Sequence, residues 1–398
     1  MFITISKVIR KYIIIIVCFI AASSCQNKPF PQDSPIALNL INIPLREEKL
    51  SEFIEELSYI KLENSIPIKS IRKIQISDKL IVVSEGRRLF LFDIHGNYIR
   101  EIGKRGRGPG EFSYIIDFTL DIEANNLFIL NSNGQILKYS ITEGYIETFE
   151  ITQKIDFDKI SCFSDKIILS SGNPNGTDIY NWIVLNDKGV FLSGKKNYLN
   201  FSYPQNSVNI YSHLICRHAN EYLYISQFCD TVFSINEDGY YPKYTIPGNK
   251  IEVSDYLDQA KLARQRKNLD RHILMPINLM ETNDHIFYQY YQEEEMNFVH
   301  LNKRSGTICR LKDNPDRIGI ENNIDDGISF LPKYYTGIKN GEFLFDWVDA
   351  YKLVQFVQSK AFKDSMPKYP EKKKELEKLA NSLSENDNPV LMVVKLKD

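Results

Sequence analysis

Six histidines are spread along the chain: His95, His213, His218, His272, His285 and His300. None forms the HExxH pair that sets two imidazoles on one helix face around zinc. Cys216 and His218 stand two apart, hence on one face of a strand, where a thiol and an imidazole could meet a metal. A structural histidine with satisfied hydrogen bonds is the reading adopted there. The acidic runs Glu293-Glu294-Glu295 and Asp325-Asp326 lack the spacing of an EF-hand and read as solvated loops. There is no GxSxG nucleophile elbow and no CxxC. The sequence therefore names no catalytic residue and no metal ligand.

One motif is sharp. Residues 103–112 read GKRGRGPGEF, with Gly103, Gly106, Gly108 and Gly110 around Pro109. So many glycines beside a proline demand a tight, irregular backbone. The phosphate-cradling GxxxxGK[ST] is absent. Lys104, Arg105 and Arg107 make the segment basic, so it could hold an anion. The preferred expectation is a rigid crossover in which Glu111 caps exposed backbone amides, with the glycines at positive φ.

The N-terminus carries a different chemistry. Lys7, Arg10 and Lys11 precede the apolar run Tyr12–Ala22. That run falls short of the ~20 residues that span a bilayer and fits the core of a secretory signal. Ala22-Ser23-Ser24-Cys25 then places small residues before a cysteine whose thiol could take a lipid. The expectation is a lipoprotein signal peptide over 1–24, lipidated Cys25, and a proline-containing tether over 25–45. An anchored protein in an oxidising compartment follows. Cys162, Cys216, Cys229 and Cys309 remain, and their pairing is open among three combinations.

These features need a scaffold, and the body of the chain repeats. Six pairs of short apolar runs recur, each split by a polar turn. They are Leu80–Val83 with Leu89–Phe92, Leu127–Leu130 with Ile136–Tyr139, and Ile167–Leu169 with Trp182–Leu185. The rest are Tyr222–Ile225 with Val232–Ile235, Ile286–Tyr291 with Phe298–Leu301, and Phe343–Phe345 with Tyr351–Val354. Runs rich in Ile, Val, Phe and Tyr bounded by Gly, Asn, Asp and Ser read as strands. Several second runs lead into turns such as Asp93–Gly96, Asn186–Gly189 and Asn236–Gly239. A meander of about four strands cannot bury both faces alone, whereas six packed radially can. The predicted fold is all-β: a six-bladed β-propeller over 46–398 with short helical insertions. Helices are predicted at Glu47–Leu57, at Ser254–Leu269 with Ser254 or Asp255 as cap, and at Glu371–Leu383. Pro389–Leu396 is expected to close the ring.

The 398 residues are 43% hydrophobic and 25% charged, as in a globular protein. The 49 basic and 51 acidic residues give a net charge of -2, which argues against nucleic acid as partner. The crossover Ile102–Phe112 resembles the hallmark of six-bladed β-propeller lipoproteins of Bacteroidota, which are related in shape to NHL-repeat propellers. Tyr59–Glu63, Cys229–Phe233 and Asn388–Leu391 are similar to other segments of that family. The resemblance implies a lipid-anchored cell-envelope propeller. Surface-exported members carry an acidic cluster after the cysteine, and Gln26–Pro29 has none, which implies the periplasmic face. Two functions follow as expectations. The first is a non-catalytic binding or scaffold protein for a protein, peptide or glycan. The alternative is a hydrolase or lyase with Ca²⁺ or Zn²⁺ in the central channel, discriminated by what the inner strands bring to the axis.

Overall fold

The computed structural model describes residues 35–121, 125–153, 155–163, 165–203, 213–265, 274–293, 295–314 and 316–397. Six antiparallel four-stranded sheets form the blades of a propeller. Blade 1 holds Lys73–Ile76, Leu80–Ser84, Leu89–Asp93 and Tyr98–Glu101. Blade 2 holds Ile115–Asp121, Asn126–Asn131, Gln135–Ser140 and Gly144–Glu150. Blade 3 holds Lys159–Phe163, Lys166–Ser170, Tyr180–Asn186 and Phe191–Lys196. Blade 4 holds Leu214–His218, Glu221–Ile225, Thr231–Asn236 and Gly239–Thr245. Blade 5 holds Met275–Glu281, His285–Gln292, Glu295–Asn302 and Ile308–Leu311. The first strand of each blade lies innermost.

Middle strands are apolar at consecutive positions because each blade is covered on both faces. In blade 1, Ile81, Val83, Phe90 and Phe92 pack against Phe345, Leu391 and Val393 of blade 6. The alternate residues Val82, Leu89 and Leu91 pack against Phe118, Leu127 and Ile129 of blade 2. Period-2 geometry thus turns one apolar run into two interfaces.

Blade 6 joins both ends of the chain. Its order is Tyr334–Ile338, Gly341–Val348, Val390–Leu396 and then Ile54–Lys61. The C-terminal strand pairs with the same ring, as expected of a closing strand. Tyr351–Val354, however, is no strand. It lies in helix α2 (Ala350–Gln358), whose buried Ala350, Leu353 and Val357 repeat at helical spacing. Helix α1 is Val253–Arg264; α2 is followed by α3 (Lys360–Asp364) and α4 (Pro370–Asn381). Phe362, Leu376 and Ala380 carry α3 and α4 onto the core shared by blades 5 and 6.

Other expectations are corrected. Glu47–Leu57 is not a helix: Leu50–Glu52 forms one 3₁₀ turn and Ile54 opens a strand. Leu57 pairs with Val394, Glu56 with Lys395 and Ile54 with Leu396, so Glu55 is the extra residue of a β-bulge. The bulge sets Ile54 and Leu57 on one buried face three positions apart and imitates helical periodicity. The cap of α1 is Glu252 rather than Ser254 or Asp255, and residues 266–269 of that predicted helix lie outside the described residues. Some of the expected tether is ordered. Ile36–Ala37 adds a parallel strand to the outer edge of blade 4, and Leu45–Arg46 does the same on blade 5.

Asp325 is buried rather than solvated. Its Oδ2 accepts from Tyr59 Oη at 2.9 Å, and its Oδ1 accepts from Asn322 Nδ2 at 2.7 Å and Gly327 N at 2.8 Å. Burial outweighs these bonds and raises its pKa to about 6. Between pH 3.8 and about 6 the folded protein holds a proton that the unfolded chain has lost, so this group's contribution to stability falls as pH rises through that window. Asp325→Asn removes that dependence. In urea titrations, wild type is expected to gain up to about 3 kcal/mol relative to the variant between pH 7 and pH 4. Parallel stability profiles would refute the assignment.

Candidate functional site

The glycine-rich crossover runs from blade 1 to blade 2. Lys104–Arg105 and Glu111–Phe112 form a short parallel pair. Glu111 lies inside the loop, where its Oε2 accepts from Gly108 N at 2.8 Å. Tyr139 Oη donates to the carbonyl of Gly110. The loop supplies its own anion, while Lys104, Arg105 and Arg107 point outward and are exposed. Gly103 (φ +67°) and Gly110 (φ +71°) occupy the left-handed region, and Gly106 and Gly108 do not. A Cβ on Gly106 would collide with the Glu111 carboxylate, whereas one on Gly108 would stand 3.1 Å from it. We expect Gly110→Val to lower the melting temperature by several degrees and Gly108→Val to do much less. Replacing Lys104, Arg105 and Arg107 with Gln is expected to leave it within a degree or two. A melting curve lowered by the charge variant would contradict this.

At the innermost strands, the acids are already engaged. Asp117 pairs with Lys73 at 2.7 Å and accepts from Ile160 N at 3.0 Å. His218 and Glu281 end the first strands of blades 4 and 5, and Glu221 begins the next strand of blade 4. Their ligand atoms lie within 4.8 Å of one another. Lys243 bonds both carboxylates, at 2.8 Å to Glu281, and Lys303 reaches Glu281 at 2.8 Å. Tyr244 donates to Glu281 at 2.7 Å, while Tyr241, at 2.9 Å, and Ser234 donate to Glu221. Burial pushes the pKa of Glu281 up, but Lys243 outweighs it and the net shift is downward. Burial lowers that of His218. Two ammonium groups therefore stand where a metal ion would. Cys216 does not belong to this cluster.

A second arrangement has the atom order of a serine-hydrolase triad. Ser170 Oγ is 2.7 Å from His213 Nε2, and His213 Nδ1 is 3.3 Å from Asp158 Oδ1. The burial is reversed from what catalysis requires. Ser170 is fully enclosed, and the Asp158 side chain is 44% exposed. Burial drives the His213 pKa down to about 3. A nucleophile sealed from solvent has no route to a substrate, so this trio joins blade 3 to the entry of blade 4.

A third cluster lies in blade 5. His300 Nδ1 meets Glu48 Oε2 at 2.5 Å, His285 Nδ1 meets His300 Nε2 at 2.9 Å, and Cys309 Sγ meets Glu48 Oε1 at 3.2 Å. Burial, followed by the adjacent Glu48, pushes the Cys309 thiol up to about 12. All four described body cysteines, Cys162, Cys216, Cys229 and Cys309, are free thiols. Cys25 lies outside the described residues. Sequence reasoning missed Glu48, Glu221, Glu281 and Cys309 as cluster members, because each meets its partners only through the fold.

The outer face offers an open site. A groove of about 170 Å³ between blades 3 and 4 is lined by Trp182, Val184, Leu192, Ile235 and Tyr240, with Lys166 and Asp238 at its polar side. Tyr240 stands edge-on to Trp182 at 5.2 Å. The bordering strand Phe191–Lys196 ends its sheet unpaired among the described residues. Val190, Phe191 and Leu192 there are 56%, 38% and 49% exposed. Lys195 folds back over Phe233 at 4.8 Å. Blades 1, 2 and 6 also end on strands uncovered among the described residues; these carry Arg100, Glu101, Glu147, Glu150, Glu55 and Glu56, whereas on blade 3 the charges, Lys195 and Lys196, are confined to the end of the strand.

The family model described as "Domain of unknown function (DUF4934)" matches residues 39–395. No curated protein matches the sequence. Among solved structures, BF0058 of Bacteroides fragilis NCTC 9343, described as exported, aligns with a TM-score of 0.66 at 15% identity. The alignment covers 92% of this chain and 100% of that one. A structural genomics protein of Bacteroides thetaiotaomicron VPI-5482 aligns at TM-score 0.41 and 11% identity over 73% of each chain. The WD40 repeats of RRP9 align at 0.44 and 9% identity, covering 89% of this chain and 100% of that one. At 15% identity, what BF0058 shares with this chain is the fold.

Proposed function

We propose, for a chain that belongs to the DUF4934 family, the role of a non-catalytic envelope propeller that binds an extended polypeptide along blade 3. The observation that carries this reading is the uncovered edge Phe191–Lys196, apolar at the exposed Phe191 and Leu192, beside the Trp182–Tyr240 groove. Blades 4 and 5 each accept a short parallel strand on the corresponding edge. A partner segment in extended form would make the same backbone bonds on blade 3 and place an apolar side chain in the groove. Against a channel metalloenzyme stands the pairing of Asp117, Glu221 and Glu281 with lysines.

The envelope location rests on the basic, apolar, small-residue and Cys25 order at the N-terminus. Among the described residues no helix is long and apolar enough to cross a membrane. Lipid on Cys25 would supply the anchor, and Cys25→Ala should move the protein from the membrane to the soluble envelope fraction. The binding reading is tested with a photo-crosslinking residue at Leu192 in cells, with Ile99 on blade 1 as control. Adducts from Leu192 that vanish in a Tyr240→Ser background, with folding intact, support the site. Adducts from Ile99 alone, or none from either position, overturn it.

A further inference from the structure

We propose that Glu48, His300 and Cys309 form a zinc site that fastens the N-terminal segment to blade 5. The three side chains come from separate stretches: the segment before Ile54–Lys61, the third strand of blade 5 and its outer strand. His300 and Cys309 face each other across the ladder, and the adjacent Leu45–Arg46 pairing brings Glu48 over them. Their ligand atoms all lie within 4.8 Å of one another, and all three residues are buried.

Imidazole, thiolate and carboxylate are the donors zinc prefers. Glu48 directs one oxygen to His300 and the other to Cys309. A chelating carboxylate with the two other ligands completes four donors. One thiolate and one carboxylate neutralise Zn²⁺, which suits a site walled by Phe53, Phe287 and Phe298. His285 occupies the outer position that metal-bound histidines require, 2.9 Å from the far nitrogen of His300. With zinc on Nδ1, His300 carries its proton on Nε2 and donates it to Nδ1 of His285, whose own proton then sits on Nε2. Cys309 loses its thiol proton to solvent, so one proton leaves for each metal bound.

The blade 4–5 cluster shows the contrast. It too joins a histidine to two acids, but Lys243 and Lys303 sit among them. Around Glu48 the nearby cation is Arg46, which turns outward to Glu52 at 3.6 Å. Admitting the metal requires the hydrogen-bonded ligands to separate by about 1 Å or less, given Zn–N and Zn–O lengths of about 2.0–2.2 Å and Zn–S of about 2.3 Å.

The test uses the full-length protein without an affinity tag, purified, stripped with chelator and reloaded with Zn²⁺ or Co²⁺. About one equivalent of tightly held zinc is expected. Cobalt should give the visible bands of a tetrahedral site and a near-ultraviolet thiolate-to-metal band. The thiolate band should vanish in Cys309→Ser, and His300→Gln should weaken binding at least about tenfold. If either variant fails to fold, a thiolate band that persists in the combined Cys162→Ser, Cys216→Ser and Cys229→Ser variant supports the site, and its loss there overturns it. Less than about 0.1 equivalent of zinc, or bound cobalt without a thiolate band, overturns the site and leaves a hydrogen-bonded network.

Discussion

Removing residues 389–398 is expected to abolish the cooperative melting transition of the whole propeller. Val390–Leu396 is not an edge strand. It lies between Gly341–Val348 and Ile54–Lys61 and pairs with both. Val390, Leu391, Met392, Val393, Val394 and Leu396 are all buried. At about 1.5–3 kcal/mol for each large apolar side chain, their gross contribution reaches roughly 10 kcal/mol or more. Domains of this kind have about 5–15 kcal/mol in total. The truncation also leaves Gly341–Val348 with an unpaired edge and Ile54–Lys61 with no neighbouring strand, which favours aggregation. Loss of the near-ultraviolet circular dichroism signal and of protease resistance would confirm the expectation. A melting midpoint within a few degrees of wild type would show that the ring does not depend on this seam.

The second large effect is expected at Glu281. Its side chain is 2% exposed and its carboxylate receives Lys243, Lys303 and Tyr244. Glu281→Ala strands Lys303 and leaves it facing Lys243, which keeps Glu221; both lysine side chains are about one fifth exposed. Breaking a buried pair costs about 3–5 kcal/mol, and the partial exposure of the lysines places this case near the lower end. Glu281→Gln keeps the volume but not the charge and should fall between wild type and the alanine variant. Adding Lys303→Met to Glu281→Ala should recover some of the loss, because it removes the stranded charge. Urea midpoints of wild type, Glu281→Ala, Lys303→Met and the double variant measure this cycle. A loss below about 0.5 kcal/mol in the alanine variant would show that the lysines find other partners.

Five of the six strand pairs were legible because alternation and polar turns are local properties. Leu80–Val83 and Leu89–Phe92 fall inside observed strands, as do the next four pairs. The sixth failed where three helices are inserted inside a blade, so that Gly341–Val348 meets a strand beginning at Val390. A similar mismatch hid the opening strand. Ile54 and Leu57 share a face through a bulge, and no local pattern separates that spacing from a helical turn. The crossover was visible in composition, but not which of its glycines need positive φ, since Gly106 is required for the space taken by Glu111. The polar clusters were beyond local reading altogether. Glu48 and His300 are 252 residues apart, and Lys243 meets Glu281 across a blade boundary.

The pairing of Ile36–Ala37 with blade 4 and of Leu45–Arg46 with blade 5 also has a mechanical meaning. The blade 6 strand Ile54–Lys61 begins beyond both contacts. A pull applied ahead of Pro35 must break the short ladder on blade 4 and then the one on blade 5 before any tension reaches the seam. Most of such a load would be dissipated in contacts that can reform, and the ring itself would open last.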